Sequence, residues 1–123
     1  ESRLATYREL LKPEGILVIA VPNFESHDRI HYQQHWAALD VPRHLWHFTP
    51  KGLINMAEAS GFDLLQKRAL GLDVFYISYL SEKHRGKSLP FVRGTLKAVW
   101  FSFKALFSGK HSSCVFVFRK RLP

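Results

Sequence analysis

The feature that most constrains the fold is the apolar run at residues 16–21 (ILVIAV), which follows a Lys-Pro-Glu-Gly turn at residues 12–15. The run does not alternate between polar and apolar residues, which is typical of a parallel strand covered by helices on both faces. Upstream, apolar residues at helical spacing predict an amphipathic helix that ends near Lys12. We therefore predict an α/β protein in which residues 16–21 form a central strand.

The segment that follows this strand is the candidate site. Asn23 lies directly after the strand, and in open parallel sheets ligands bind beyond the carboxyl ends of the strands. Residues 24–48 hold five of the seven histidines and greatly exceed a usual connection of about 4–6 residues. Long loops of this kind are often functional. We therefore predict that Asn23 and this loop lie at the functional edge of the sheet.

Three of these histidines recur every four residues, at His27, His31 and His35. If residues 25–38 form one helix, the three imidazoles share a face and could bind a divalent metal. The alternative is a solvated helix face that carries neutral histidines. No cysteine and no pair of acids supplies further metal ligands. We therefore predict no metal site, and metal binding by the three histidines stays an open alternative.

The chain becomes regular again after Phe48. Thr49-Pro50 predicts the start of a helix, with Thr49 as the N-cap, that ends before Gly61. Residues 62–70 then predict a strand near a sheet edge, with Phe62, Leu64 and Gln66 on one face and Asp63, Leu65 and Lys67 on the other. Strand, loop, helix and strand make a parallel crossover.

Residues 71–109 form an insertion relative to this minimal unit. Residues 73–80 are apolar, residues 81–88 predict a charged, flexible break, and residues 89–107 are again apolar. The bases Arg93, Lys97 and Lys104 fall within a helical arc of about 40°. Three charges in about 18 residues exclude a spanning helix. The run is either a lid packed through its apolar side or a segment on a membrane surface. We favour the lid because core-packed amphipathic helices are commoner.

The first predicted strand and the loop that follows it resemble part of a known enzyme family. The strand that ends at Asn23 and residues 36–48 (WAALDVPRHLWHF) resemble the second half of a class I S-adenosylmethionine (SAM) dependent methyltransferase. The branch they resemble is that of the ubiquinone- and menaquinone-biosynthesis enzymes. The resemblance implies a Rossmann-like sheet in which residues 16–21, 64–70 and 115–118 are the fifth, sixth and seventh strands. The seventh is antiparallel and lies between the other two, and residues 71–109 are an inserted helical lid.

This family holds SAM with a glycine-rich turn after the first strand and an acid after the second, and neither segment is in this sequence. The chain also begins without Met, inside a predicted helix. We therefore expect residues 1–123 to be the C-terminal part of a methyltransferase domain. The isolated part should be inactive, with SAM bound mainly by the other half.

The resemblance also implies roles for loop residues. The family's reaction is a displacement at the sulfonium methyl, and a proton must leave the acceptor. His44 and His47 are candidate general bases, and Asp40 could orient one of them. Arg43 could bind an acidic group of a small-molecule acceptor, and Tyr32, Trp36 and Trp46 could form walls around an aromatic or lipid-like acceptor. The alternative is structural: an Asp40–Arg43 salt bridge that holds the loop, with histidines packed on aromatic rings.

The net charge of +8 raises a second class of function, a basic module that binds an anionic membrane or nucleic acid. The bases are scattered and no nucleic-acid motif is visible, so nucleic acid is not favoured. Lone Cys114 excludes an internal disulfide and fits a reducing compartment, so we expect a cytoplasmic protein that could be peripheral to the membrane. We also expect the isolated chain to self-associate, either through the unpaired edge of the strand at residues 16–21 or by exchange of an element such as the first helix. The alternative is that residues 71–109 fold over this edge.

Overall fold

The computed structural model describes residues 2–122. The helices are α1 (Ser2–Leu10), α2 (His27–Tyr32), α3 (Pro50–Ala59), α4 (Asp73–His84) and α5 (Pro90–Ser108), and the strands are β1 (Ile16–Pro22), β2 (Phe62–Ala69) and β3 (Ser113–Lys120). Two 3₁₀ turns, Gln33–His35 and Ala37–Leu39, lie between α2 and α3. The predicted helices and strands are therefore present, with the loop at residues 24–48 partly helical.

The strands form one sheet in the order β1-β3-β2, and β3 is antiparallel to both neighbours. β1 and β2 consequently run parallel to each other with β3 between them. This is the arrangement of fifth, seventh and sixth strands that the resemblance implied. The Gly15 N–H donates to the Lys12 carbonyl oxygen (2.9 Å), which closes the predicted turn before β1.

One face of the sheet carries the first hydrophobic core. The buried residues of this core come from α1, α3 and all of the strands except β1: Leu4, Leu53, Ala57, Phe62, Cys114, Phe116 and Phe118. β1 packs against them through Leu17, Ile19 and Val21. Helix α3 begins as predicted, because the Thr49 hydroxyl accepts a hydrogen bond from the Gly52 N–H (3.1 Å).

The apolar pattern of residues 16–21 predicts a central strand in a complete domain, whereas in this chain β1 is the edge strand that we expected of the isolated part. Ile16 and Val18, on the face away from the first core, are each 55% exposed. In the described part of the chain β1 pairs only with β3. The apolar run therefore forms an edge strand. Within residues 2–122 no second strand pairs with its free edge, and no helix covers the face that carries Ile16 and Val18.

The predicted faces of β2 are correct only as far as Leu64. A bulge between Leu64 and Gln66 shifts the register, so that Leu64 pairs with Phe118 while Lys67 pairs with Phe116. Paired residues in an antiparallel ladder project from the same face. Lys67, and not Gln66, therefore lies on the side of the first core.

A second core joins the loop at residues 24–48 to the insertion. Its buried residues are Tyr32, Trp36, Ala38, Val74, Ile77, Ala98 and Phe101. The predicted flexible break at residues 81–88 is wrong in its first half, because α4 continues to His84 and buries Ser81 and Glu82. Glu82 is buried because Arg85, just after α4, and Arg93 and Lys97 of α5 pair with it. The polarity of single residues does not reveal this pairing.

Helix α5 has the predicted extent but not the predicted packing. Its buried residues are small apart from one: Gly94, Ala98, Phe101 and Ala105. Its other large apolar side chains face outward, so the prediction of a lid packed through its apolar side is wrong. The helices of residues 2–122 include none long and apolar enough to cross a bilayer.

Candidate functional site

The candidate site is a cleft of about 240 Å³ at the carboxyl end of β1. Its floor is the end of the strand, Ala20, Val21 and Pro22, and its wall is the chain from Arg43 to Phe48. The sequence places it there because Pro22 and Asn23 end the strand and the loop returns beside it. A parallel bridge pairs Asn23 with Phe48. The cleft is therefore where ligands bind in open α/β sheets.

Asn23 anchors this end of the sheet. Its Nδ2 donates to the His111 carbonyl oxygen (2.9 Å), and its Oδ1 accepts from the Glu25 N–H (2.9 Å). The Asn23 N–H donates to the Ser112 carbonyl oxygen (2.8 Å). The side chain is 3% exposed. Asn23 therefore positions the start of the loop against the residues that lead into β3.

Trp36 and Tyr32 lie in the second core beneath the loop. Trp36 is 1% exposed, and its Nε1 donates to Asp28 Oδ2 (2.7 Å). The Ser112 hydroxyl donates to the same oxygen (2.6 Å). Asp28 was not predicted from the sequence, because one of its partners lies 84 positions away. Asp28 fixes the buried side of the loop to the segment before β3.

His44 and His47 each bind a carbonyl oxygen of the second 3₁₀ turn. His44 Nδ1 lies 3.2 Å from the Ala38 carbonyl oxygen, and His47 Nε2 lies 2.9 Å from that of Leu39. A carbonyl oxygen only accepts, so the proton sits on Nδ1 of neutral His44 and on Nε2 of neutral His47. The lone pair is left on Nε2 of His44 and on Nδ1 of His47. The two imidazoles are thus held in opposite tautomers.

Asp40 is close in sequence but makes neither of these contacts. It ends the second 3₁₀ turn in the left-handed conformation (φ 39°), and its carbonyl oxygen accepts from the His44 N–H (2.9 Å). Within residues 2–122 no ion pair joins the Asp40 carboxylate to Arg43. The orientation of the histidines therefore comes from backbone carbonyls, and the structural alternative of an Asp40–Arg43 salt bridge is absent from this conformation.

Arg43 and Trp46 are the exposed members of the predicted site. Trp46 is 78% exposed, and both residues line the cleft. The His47 ring packs against the Phe24 ring in a tilted arrangement, with ring centroids 5.4 Å apart and an interplanar angle of 33°. The structure therefore brings His44, His47, Arg43 and Trp46 together at the cleft, whereas Tyr32 and Trp36 lie in the second core.

A buried acid, Glu82, organises the other side of the second core. Arg93 Nε lies 3.0 Å from Glu82 Oε2, and Lys97 Nζ lies 3.4 Å from Oε1. Burial alone would raise the pKa of Glu82, but the hydrogen bond from Arg93 and the charge of Lys97 outweigh it and hold the pKa below its usual value. Burial, with the nearby Glu82 carboxylate, raises the pKa of Tyr32. Both groups therefore keep their ordinary charge states near neutral pH.

The three histidines that are spaced four residues apart, His27, His31 and His35, do not all lie on one helix face. α2 ends at Tyr32, and Gln33 has a positive φ of 49°, so His35 lies in the following 3₁₀ turn. His27 Nε2 lies 2.7 Å from the Ser108 hydroxyl, and His31 Nε2 lies 3.3 Å from Arg85 Nη1. In the described residues no group of three potential ligands is placed to hold a metal.

Comparisons with known proteins place this geometry in context. Residues 2–67 match the family described as a methyltransferase domain. No curated protein gives a significant match. Among solved structures, one described as a sarcosine dimethylglycine methyltransferase from Galdieria sulphuraria is similar, with a TM-score of 0.52 and 17% identity over 96% of this chain and 46% of its own.

A cyclopropane synthase from Mycobacterium tuberculosis has a TM-score of 0.51 and 14% identity over 97% of this chain and 49% of its own. The chain thus spans about half the length of the solved structures that it matches. At these identities the likeness shows the fold, which is that of part of a Rossmann-like methyltransferase.

Proposed function

This chain belongs to the methyltransferase domain family, and on that premise we propose that it forms the acceptor side of a SAM-dependent methyltransferase. The acceptor is a small molecule, and it binds in the cleft between the end of β1 and residues 43–48. Within the family we assign the chain to the ubiquinone- and menaquinone-biosynthesis type, on the residues at 36–48. The methyl donor is bound mainly by the other half of the domain.

The observation that carries the proposal is the tautomer of His44. The Ala38 carbonyl oxygen accepts from Nδ1, which leaves the Nε2 lone pair of an exposed imidazole free beside the cleft. A hydrogen bond from the far ring nitrogen to a carbonyl is a usual way to orient a catalytic imidazole. A neutral imidazole nitrogen with an unshared electron pair can accept a proton, which suits a general base.

SAM, when bound, supplies an electrophilic methyl group on a sulfonium. The residues described here do not form a cradle for its nucleoside. Gly61, Gly86 and Gly109 have positive φ and each follows a helix. Gly71 lies between β2 and α4, but a Cβ there would meet nothing within 4 Å. A single glycine between β2 and α4 is not a glycine-rich turn, and residues 23–26 between β1 and α2 contain no glycine. We therefore assign the donor site mainly to residues outside the described chain.

The steps assigned to this chain concern the acceptor alone. His44 Nε2 would take the proton from the acceptor's O–H, N–H or C–H group. The electron pair left on that atom would then attack the methyl carbon, and the carbon–sulfur bond would break with its electron pair kept by the sulfur. Arg43 pairs with an acidic group of the acceptor, and the indole of Trp46 covers an apolar part. Closing the cleft over the acceptor also excludes water from the reacting atoms.

The test compares His44→Gln with His47→Gln in the full-length protein. Glutamine keeps a hydrogen-bond donor but cannot take a proton. Loss of a positioned general base costs about 10²–10⁴ in rate, so His44→Gln should lower kcat by that factor, abolish the acidic limb of its pH profile and leave Tm nearly unchanged. An equal loss of Tm and rate in His44→Gln would contradict the assignment.

A second measurement tests the proposal that SAM is bound mainly by the other half of the domain. Titration calorimetry of residues 1–123 with SAM should show no appreciable binding, because the chain lacks the glycine-rich turn. Micromolar binding to this chain would overturn the proposed division. Turnover by the full-length protein without any dependence on SAM would overturn the function itself.

A further inference from the structure

The outward face of α5 is an unusual surface for a helix of an α/β protein. Its side chains over an arc of about 120° are all apolar, at about 100° per residue. The larger of them are Leu96, Val99, Trp100, Phe103, Leu106 and Phe107, and each is more than half exposed. Contiguous apolar surface of this kind on a soluble domain usually marks an interaction site.

The reason for this exposure lies on the opposite side of the helix. Gly94, Ala98 and Ala105 face inward with Phe101, so α5 approaches α4 closely through small side chains. A Cβ on Gly94 would lie only 2.7 Å from the backbone N and Cα of Tyr79. Packing against α4 therefore uses the small residues, and the large apolar residues remain outside without a partner in the described chain.

A basic cleft of about 490 Å³ borders this face between α2 and α5. Its polar lining is His27, His31, Lys97 and Lys104, and Trp100 connects it to the apolar face. Glu82 pairs with Lys97, but it is also the sole acid paired with Arg85 and Arg93 within residues 2–122. The cleft therefore carries an excess of positive charge.

The pKa values of the two cleft histidines are lowered mainly by burial and further by nearby bases. Burial, together with Lys104 and Lys110, lowers the pKa of His27. Burial, together with Lys97 and Arg85, lowers the pKa of His31, although Glu82 acts in the opposite direction. An anion in this cleft would meet the ammonium groups of Lys97 and Lys104 on α5, with His27 and His31 of α2 beside them.

We propose that α5 docks the protein on an anionic phospholipid bilayer, with its apolar face in the interface and a lipid phosphate in the basic cleft between α2 and α5. The combination selects a bilayer over other polyanions, because nucleic acid would pair with Lys104 and leave the aromatic residues uncovered. An interfacial helix buries an apolar face by several ångströms while flanking bases meet the headgroups. The inference does not depend on the proposed methyl transfer.

The experiment is sedimentation of the full-length protein with two kinds of vesicle, pure phosphatidylcholine and phosphatidylcholine mixed with phosphatidylglycerol. Binding should occur to the mixed vesicles and weaken as salt is raised. Phe103→Ser and Phe107→Ser should each lower the partition coefficient by about tenfold, since each removes a large apolar side chain from the interface. Lys104→Gln should lower it by about fivefold.

The matched controls are Leu10→Ser in α1, which removes an apolar side chain about as exposed as that of Phe107, and Lys51→Gln at the start of α3. Each should change the partition coefficient by less than about twofold. The proposal is overturned if the full-length protein ignores both vesicles, which would mean that its other half covers α5. It is also overturned if the face variants bind as the parent does. A dimer in sedimentation velocity that Phe107→Ser dissociates would assign the face to a second copy instead.

Discussion

Replacing Gly94 by alanine should destabilise the protein, although α5 is a helix and alanine is the better helix former. The Cβ would lie 2.7 Å from the backbone N and Cα of Tyr79, whereas ordinary contact begins at 3.4 Å. Because the obstacle is backbone, it cannot rotate away as a flexible side chain would. The two helices must therefore move apart by the difference between those distances, about 0.7 Å.

Two opposing effects set the size of the change. Alanine stabilises a helix interior by about 1 kcal/mol over glycine. Overpacking costs about 1–3 kcal/mol, and a gap of 0.5–1 Å forfeits about a quarter to a half of the contact energy between packed atoms. The contacts at risk are those of Ile77 and Val74 with Ala98 and Phe101. With the middle of the overpacking range, about 2 kcal/mol, less the gain of about 1 kcal/mol for alanine, we expect the free energy of unfolding to fall by about 1 kcal/mol, or Tm by about 5 °C.

Urea denaturation followed by circular dichroism measures this change. The control is Gly71→Ala, at a glycine whose added Cβ meets nothing within 4 Å and whose φ is not positive. It should be neutral or stabilise slightly by restricting the unfolded chain. Faster amide exchange in α4 and α5 should accompany the loss in Gly94→Ala. Unchanged or higher stability of Gly94→Ala would refute the close approach of the helices.

Three further predictions concern acid stability, the anchor of the loop and the free strand edge. The pKa of Glu82 is held below its ordinary value of 4.5, so the stabilisation from its charge is present above that pH and is lost as the pH falls through the lower pKa of the folded state. In urea denaturation at several pH values, Arg93→Gln should reduce this loss of stability in acid. An unchanged pH dependence in Arg93→Gln would refute the role of Glu82. Asn23→Ala should lower the free energy of unfolding by about 2–3 kcal/mol through two lost buried hydrogen bonds, whereas a raised KM with unchanged stability would indicate direct contact with the acceptor. The isolated chain should self-associate through β1, and a monodisperse monomer in light scattering, with slow amide exchange along β1, would contradict this.

The sequence by itself determined the elements whose signals are local. The turn before β1, the Thr49 cap of α3 and the apolar pattern of β3 each depend on residues within a few positions of one another, and all are present as predicted. The resemblance carried by residues 11–23 and 36–48 added the order of the strands, which local pattern does not contain. The position of the loop that bears His44, at the carboxyl end of β1, followed instead from the order of strand and loop along the chain.

Only the tertiary structure decided which groups meet. His44 and His47 contact the carbonyl oxygens of Ala38 and Leu39. They contact these oxygens and not the Asp40 carboxylate because of how two 3₁₀ turns orient the loop. Burial of Asp28 and Glu82 depends on partners from distant parts of the chain.

The packing of α5 was also beyond the sequence. A helical wheel shows that an apolar face exists, but not which side another helix approaches. The close fit of Gly94 against the backbone of α4 turned the small residues inward and left the aromatic residues outside. Side-chain hydrophobicity is a property of each residue, whereas its burial depends on whether a neighbouring element packs against it with a complementary shape. That shape is defined only when the helices pack.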